Sequence, residues 1–123
     1  MTSAMLDASA LLAYLFREPG SEAVEEALEA GAACCAVNYS EVIQKLRSAG
    51  VDVSTGVGVL DAMGLDVVNA SATDALTAAE LWQPGSPLSL ADRFCLATAK
   101  RLGVPAVTAD RAWGESDGIR QIR

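Results

Sequence analysis

The sequence contains no histidine, which excludes Ser-His and Cys-His nucleophilic catalysis, imidazole zinc sites and histidine acid-base chemistry together. Cysteine is scarce: Cys34, Cys35 and Cys95 are the only three. An odd count with two adjacent members does not build an ordinary disulfide framework, so free, buried thiols in a reducing compartment are expected. No apolar run is long enough to span a bilayer. The short apolar stretch Ala4 to Leu6 is broken at Asp7 and has no basic flank, so no secretory leader is read and a cytosolic protein is expected. Positive charge is also in deficit, with 9 Lys and Arg against 16 Asp and Glu and a net charge of -7. That balance argues against a general nucleic-acid coat protein. The deficit is uneven, because residues 1 to 89 hold three basic groups against twelve acidic ones and residues 90 to 123 hold six against four. The last quarter of the chain is therefore net positive, which suits either a local phosphate-facing patch or a solvated face.

What is present fits one domain over residues 1–123, and 51% hydrophobic residues supply a single core between layers. Strands are expected at Ala4 to Leu6, Ala32 to Val37, Leu65 to Val68, Pro105 to Thr108 and, as an edge, Ile119 to Ile122. Helices are expected at Ser9 to Phe16, Ser21 to Glu29, from an Asn38 cap to Ala49, at Ser71 to Trp82 and at Leu90 to Leu102. Gln83 to Pro87 reads as a loop, and Arg111 to Trp113 as at most one helical turn. Val51 to Gly64 is ambiguous, since Gly56 and Gly58 weaken a helix there. The alternation implies an α/β fold with a mainly parallel sheet and helices on both faces.

In such a sheet, ligands bind beyond the carboxyl ends of the strands. Asp7 and Asp110 each follow a strand directly, and Glu41 lies four residues beyond Val37. Asp92 sits in the first turn of a helix that starts at the same edge. Four clustered carboxylates repel one another, and without histidine the economical compensation is a divalent cation with oxygen ligands, magnesium or manganese. Such a cation suits hydrolysis of phosphate esters, by activating water and neutralising developing charge. Each acid also has a plain structural role. Asp7 can cap a helix, Asp110 can start a turn, Glu41 can close a capping box with Asn38 or pair with Lys45, and Ser89 to Asp92 is itself a capping pattern. Ser71 to Asp74 has that same pattern and carries no assigned function. What sets Asp92 apart is that its helical neighbours Cys95, Leu96 and Ala99 form an inward stripe, where an unpaired charge needs a partner.

Met5-Leu6-Asp7-Ala8-Ser9-Ala10-Leu11-Leu12-Ala13 resembles the opening of a PIN domain of the VapC type. Asn38 to Val42 resembles its second acidic motif, Leu88 to Asp92 with Ala97-Thr98-Ala99 the third, and Thr108 to Trp113 the fourth. The resemblance covers nearly the whole chain and implies a three-layer α/β/α sandwich. It further implies a magnesium- or manganese-dependent endoribonuclease, with Asp7, Glu41, Asp92 and Asp110 as the catalytic and metal-binding set and Asp7 and Asp92 as direct ligands. Ser9 and Thr108 would support the site; Asp117 would stand where relatives can carry a further acid, with a turn at Gly118 as its plainer role; and Arg93 and Arg111 would either hold RNA phosphates or pair with a carboxylate. Trp113 is read as packing the last helical turn. Partners implied are a VapB-like antitoxin, inserting a basic side chain among the carboxylates, and a second copy of the chain; Leu11, Leu12, Leu15 and Phe16 offer apolar surface for the antitoxin tail. The same residues also suit a PIN-like nuclease outside a toxin-antitoxin pair, acting on DNA or structured RNA, or a catalytically silent interaction module. A haloacid-dehalogenase-like phosphotransferase is disfavoured, because its second aspartate falls on Ser9.

Overall fold

Each strand is only three or four residues long, so the sheet depends on the helices packed against its faces. The computed structural model describes residues 1–123. The strands are β1 (Ala4–Leu6), β2 (Ala32–Cys35), β3 (Asp66–Val68), β4 (Ala106–Thr108) and β5 (Ile119–Gln121). Their order is β3-β2-β1-β4-β5, and every adjacent pair is parallel. The helices are α1 (Ala8–Leu15), α2 (Ser21–Glu29), α3 (Ala36–Ser48), α4 (Val53–Ala62), α5 (Ala72–Glu80) and α6 (Leu90–Leu102), with a 3-10 turn at Arg111–Trp113. No helix is long and apolar enough to cross a membrane.

Strand alternation divides the core between two faces. Ala4 and Leu6 pack with Leu11 of α1, Val24 and Leu28 of α2, Val42 and Leu46 of α3 and Leu60 of α4. Met5, between them, joins Cys95 and Ala99 of α6 and Trp113 on the other face. The result is the expected α/β/α sandwich, with Trp113 in the core rather than presented to a ligand. All three cysteines are free and buried.

Two elements differ from the sequence expectation. Helix α3 begins at Ala36, not after Asn38, with Cys35 as an N-cap that makes no side-chain bond. The ambiguous Val51 to Gly64 stretch contains α4, in spite of its glycines. The reason is Gly56, which is buried where α3 and α4 approach: a Cβ there would lie 2.6 Å from Leu46 Cδ1.

Helices α5 and α6 start with the same capping box. Ser71 accepts from the Asp74 amide and Asp74 from the Ser71 amide, and Ser89 and Asp92 repeat the arrangement. The second use of each carboxylate separates them. Asp74, 1% exposed, also takes a two-point contact from Arg101, Nε to Oδ1 at 2.8 Å and Nη2 to Oδ2 at 3.0 Å. Arg101 holds the Asp74 carboxyl below the usual carboxylate range. Asp92 has no such partner, and its Oδ1 makes no hydrogen bond. Asp74→Asn is expected to leave the site intact and to destabilise the fold by roughly 1–2 kcal/mol, discounted for the partly exposed arginine. Because the folded-state pKa is depressed, this stabilisation is present above the ordinary carboxylate pKa and disappears as pH falls through the folded value. Urea melts of both proteins at pH 7 and pH 3 check this; equal stability at pH 7 would contradict it.

Candidate functional site

The parallel sheet sends every strand toward one edge, and Asp7 is the first residue beyond β1 there. It is 3% exposed and is fixed from three sides. Its Oδ1 accepts from the Ala10 amide at 2.8 Å, capping α1, and from Ser9 Oγ at 2.7 Å. Its Oδ2 accepts from Thr108 Oγ1 at 2.6 Å, with Ser9 Oγ at 2.9 Å. Burial pushes the Asp7 carboxyl up to about 6, donation by Thr108, Ala10 and Ser9 pulls against that push, and the nearby charge of Asp92 adds to it. Desolvation wins over three hydrogen bonds because the group lies at the sheet's centre, under α6 and beside Cys95.

Thr108 and Ser9 form one network with the fourth motif. Thr108 Oγ1 accepts from the Asp110 amide at 3.0 Å, and Ser9 Oγ accepts from the Ala109 amide at 2.9 Å. The two hydroxyls therefore tie the end of β4 to Asp7. Asp110 itself is exposed and caps the 3-10 turn through Oδ1 to the Ala112 amide at 2.9 Å. Its plain structural role is real, and its Oδ2 remains without a hydrogen bond.

Glu41 stands one turn into α3, partly buried. The pairing with Lys45 does not form, since the only ion pairs are Arg101–Asp74 and Arg123–Glu18. Instead Asn38, fully buried, donates from Nδ2 to Glu41 Oε1 at 3.0 Å and to the Ala91 carbonyl at 3.1 Å. Asn38 thus ties Glu41 to the first turn of α6, next to Asp92. Sequence reasoning treated it as a helix cap and missed this bridge. The signal was available, because an amide three residues before an acid on a helix lies on the same face.

The structure sets other expected residues apart. Asp117 lies at the opposite edge: the Gly118 carbonyl accepts from the Ala106 amide at 2.8 Å, at the start of β4, and Asp117 lines a cavity with Lys100 and Val104. A parallel β4-to-β5 connection must return to the amino ends of the strands, so an acid just before β5 cannot join Asp7. Arg93 turns toward α5, donating from Nη1 to the Ala78 carbonyl at 2.8 Å. Arg111 is engaged with the Arg123 carbonyl at 3.0 Å. Of the four apolar residues of α1, Leu11 is core, Leu12 and Leu15 are partly buried and Phe16 is 39% exposed.

No three carboxylates stand close enough to form a ready-made metal cage, so the four acids do not converge as one closed ligand set. Magnesium does not need one, because it retains several waters and takes one or two carboxylates with substrate phosphate. Asp7 and Asp92 fit that requirement. Their charges already oppose each other, both are oxygen donors, and Asp92 Oδ1 is uncommitted.

Comparison with known proteins extends this picture. The sequence matches the family described as "PIN domain" over residues 4–118. No curated protein matches it in sequence. Among solved structures, the chain is similar to one in a toxin-antitoxin complex from Klebsiella pneumoniae, with TM-score 0.77, 22% identity and 98% of each chain covered. A chain of DNA-bound VapBC from Salmonella typhimurium gives TM-score 0.71 and 19% identity, covering 98% of this chain and 97% of that one. VapBC2 from Rickettsia felis, bound to a promoter DNA fragment, gives 0.70 and 16%, with 98% and 97% covered.

Proposed function

The chain belongs to the PIN-domain family, and on that footing we propose that it is a magnesium- or manganese-dependent endoribonuclease acting as the toxin of a toxin-antitoxin pair. The observation that carries the nuclease reading is Asp7, fixed at the carboxyl edge of the sheet by three donors and close enough to Asp92 to feel its charge. One acid is desolvated and locked in place, and the other is held by only one of its two oxygens. A cation bound there supplies charge neutralisation at the phosphodiester and lowers the pKa of an attacking water.

The protein's own groups do the positioning. Ser9, Thr108 and the Ala10 amide fix Asp7, so little reorganisation accompanies binding. Asn38 occupies Glu41 Oε1 and leaves Oε2 to take the proton of the attacking water. Asp110, exposed at the mouth, keeps Oδ2 for water around the site. The toxin reading is supported by the likeness of fold to chains of toxin-antitoxin complexes. An acidic pocket also suits an antitoxin arginine, whose fork binds two carboxylate oxygens. A homodimer is supported by the apolar outer side of α5, where Leu76 is 67% exposed and Trp82, just beyond the helix, is 59% exposed.

Purified protein is expected to cleave RNA with magnesium or manganese and to stop in excess EDTA, when assayed on several tRNA and rRNA substrates. Undiminished cleavage in EDTA would defeat the metal assignment. Co-expression with the product of the adjoining gene is expected to yield an inactive complex; a monomer indifferent to that product would defeat the toxin role alone.

A further inference from the structure

We infer that Lys45 holds the substrate phosphate next to the one being cleaved, in the cavity between α1 and α3. This assignment rests on the nuclease reading above and adds a binding residue to it.

The cavity measures about 410 Å³ and is lined by Ala8, Ser9 and Leu12 from α1 and by Glu41, Gln44 and Lys45, with Ser48 beyond them, from α3. Its volume falls within the roughly 300–1,000 Å³ range of small-ligand clefts and accommodates a nucleotide. Ser9, in its wall, donates to Asp7, so one end of the cavity lies next to that acid. Lys45 stands one helical turn beyond Glu41, about 6 Å along the axis.

Lys45 is the one cation in that lining, and its ammonium makes no ion pair or hydrogen bond. Asn38 turns one oxygen of Glu41 toward itself, and no carboxylate stands within ion-pair distance of the ammonium. The arginines near the other motifs are already engaged: Arg93 with Ala78, Arg101 with Asp74, Arg111 with Arg123. On a chain of net charge -7, an anionic strand meets repulsion over most of the surface. A single uncommitted ammonium beside the acids therefore decides where the next phosphate rests. Its three donors and compact charge suit phosphate oxygens. The same charge disfavours the basic side chain of a protein tail in this cavity, which is why RNA is the occupant assigned to it.

The test compares Lys45→Gln, Lys45→Arg and Lys100→Gln with the wild type, using a single-stranded RNA that the wild type cleaves. Lys45→Gln is expected to raise KM and lower kcat/KM about five- to tenfold, with kcat nearly unchanged. Its plot of log kcat/KM against log salt should flatten by about 0.7, the share of one phosphate contact on a single strand. Lys45→Arg should restore both, and Lys100→Gln, at the opposite edge, should change neither. An unchanged KM and salt slope in Lys45→Gln, with cleavage intact, overturns the assignment of Lys45 alone. So does a Lys45→Gln protein that cleaves normally but escapes its antitoxin, which would give the cavity to the protein partner. A wild type that cleaves no RNA with either cation overturns the nuclease reading, and the role of Lys45 with it.

Discussion

Asp92→Asn is expected to lower kcat/KM for RNA by at least about 100-fold while the protein remains folded. The asparagine oxygen can keep the bond to the Ser89 amide that closes the capping box, so the start of α6 survives. What is lost is the uncommitted Oδ1 and the negative charge. Removing a charge from the first turn of a helix costs about 0.3–1 kcal/mol. Relief of the repulsion felt by Asp7 acts in the opposite direction, so net stability should be equal or slightly higher. Activity and thermal melting measured together with the Asp74→Asn control decide the matter. If Asp92→Asn loses activity only in proportion to unfolding, the residue is a cap and the site lies elsewhere.

The second large effect concerns Asp7 and pH. Its folded-state pKa, raised to about 6, means that the folded metal-free protein holds the neutral carboxyl to higher pH than the unfolded chain does. The associated stability is fully present below the ordinary carboxylate pKa and is lost as pH rises through about 6. Metal-free protein is therefore expected to be more stable near pH 4.5 than at pH 7.5, by about 2 kcal/mol from this group. Asp7→Asn should remove that difference. Cation binding requires the ionised form, so apparent magnesium or manganese affinity should fall about tenfold for each pH unit below 6. Thr108→Val, which removes a donor that lowers this pKa, should move the falling limb to higher pH. A manganese-induced rise in melting temperature that stays constant from pH 5 to pH 8 would rule this linkage out.

Strong local patterns carried much of the fold. β1 and α6 fall almost where hydrophobic period and caps put them, because Asp7 or Gly103 marks a boundary chemically, whereas α2 begins at Ser21 with Gly20, not the Ser21 hydroxyl, at its N-cap. The start of α3 was not legible, since Ala36 and Val37 are apolar enough for a strand and the Asn38 side chain, read as a cap, bonds across to Ala91 of α6 instead. Likewise α4 runs through Gly56 because Leu46 needs the space, a tertiary reason invisible in local propensity. Asp7 and Asp92 could be anticipated from strand ends and helix starts. Sequence adjacency does not place Arg93 beside Asp92 in space: consecutive residues on a helix point about 100° apart, and Arg93 faces α5. Asp117 could have been set aside from the sheet's direction alone.

The twin capping boxes also bear on how such a site can be assembled or redesigned. A helix start uses one oxygen of its aspartate and leaves the other to whatever lies across from it. At Asp74 an arginine took it and made a fastener; at Asp92 it stayed open beside a second acid. A capping aspartate is thus a ligand held in reserve by the secondary structure, oriented before any cation is present. Recruiting one needs no new loop and no altered backbone, only the removal of a competing arginine and a carboxylate within reach. Helix starts along the carboxyl edge of any parallel sheet are accordingly the places where a designer could add an acidic metal ligand with least disturbance to folding.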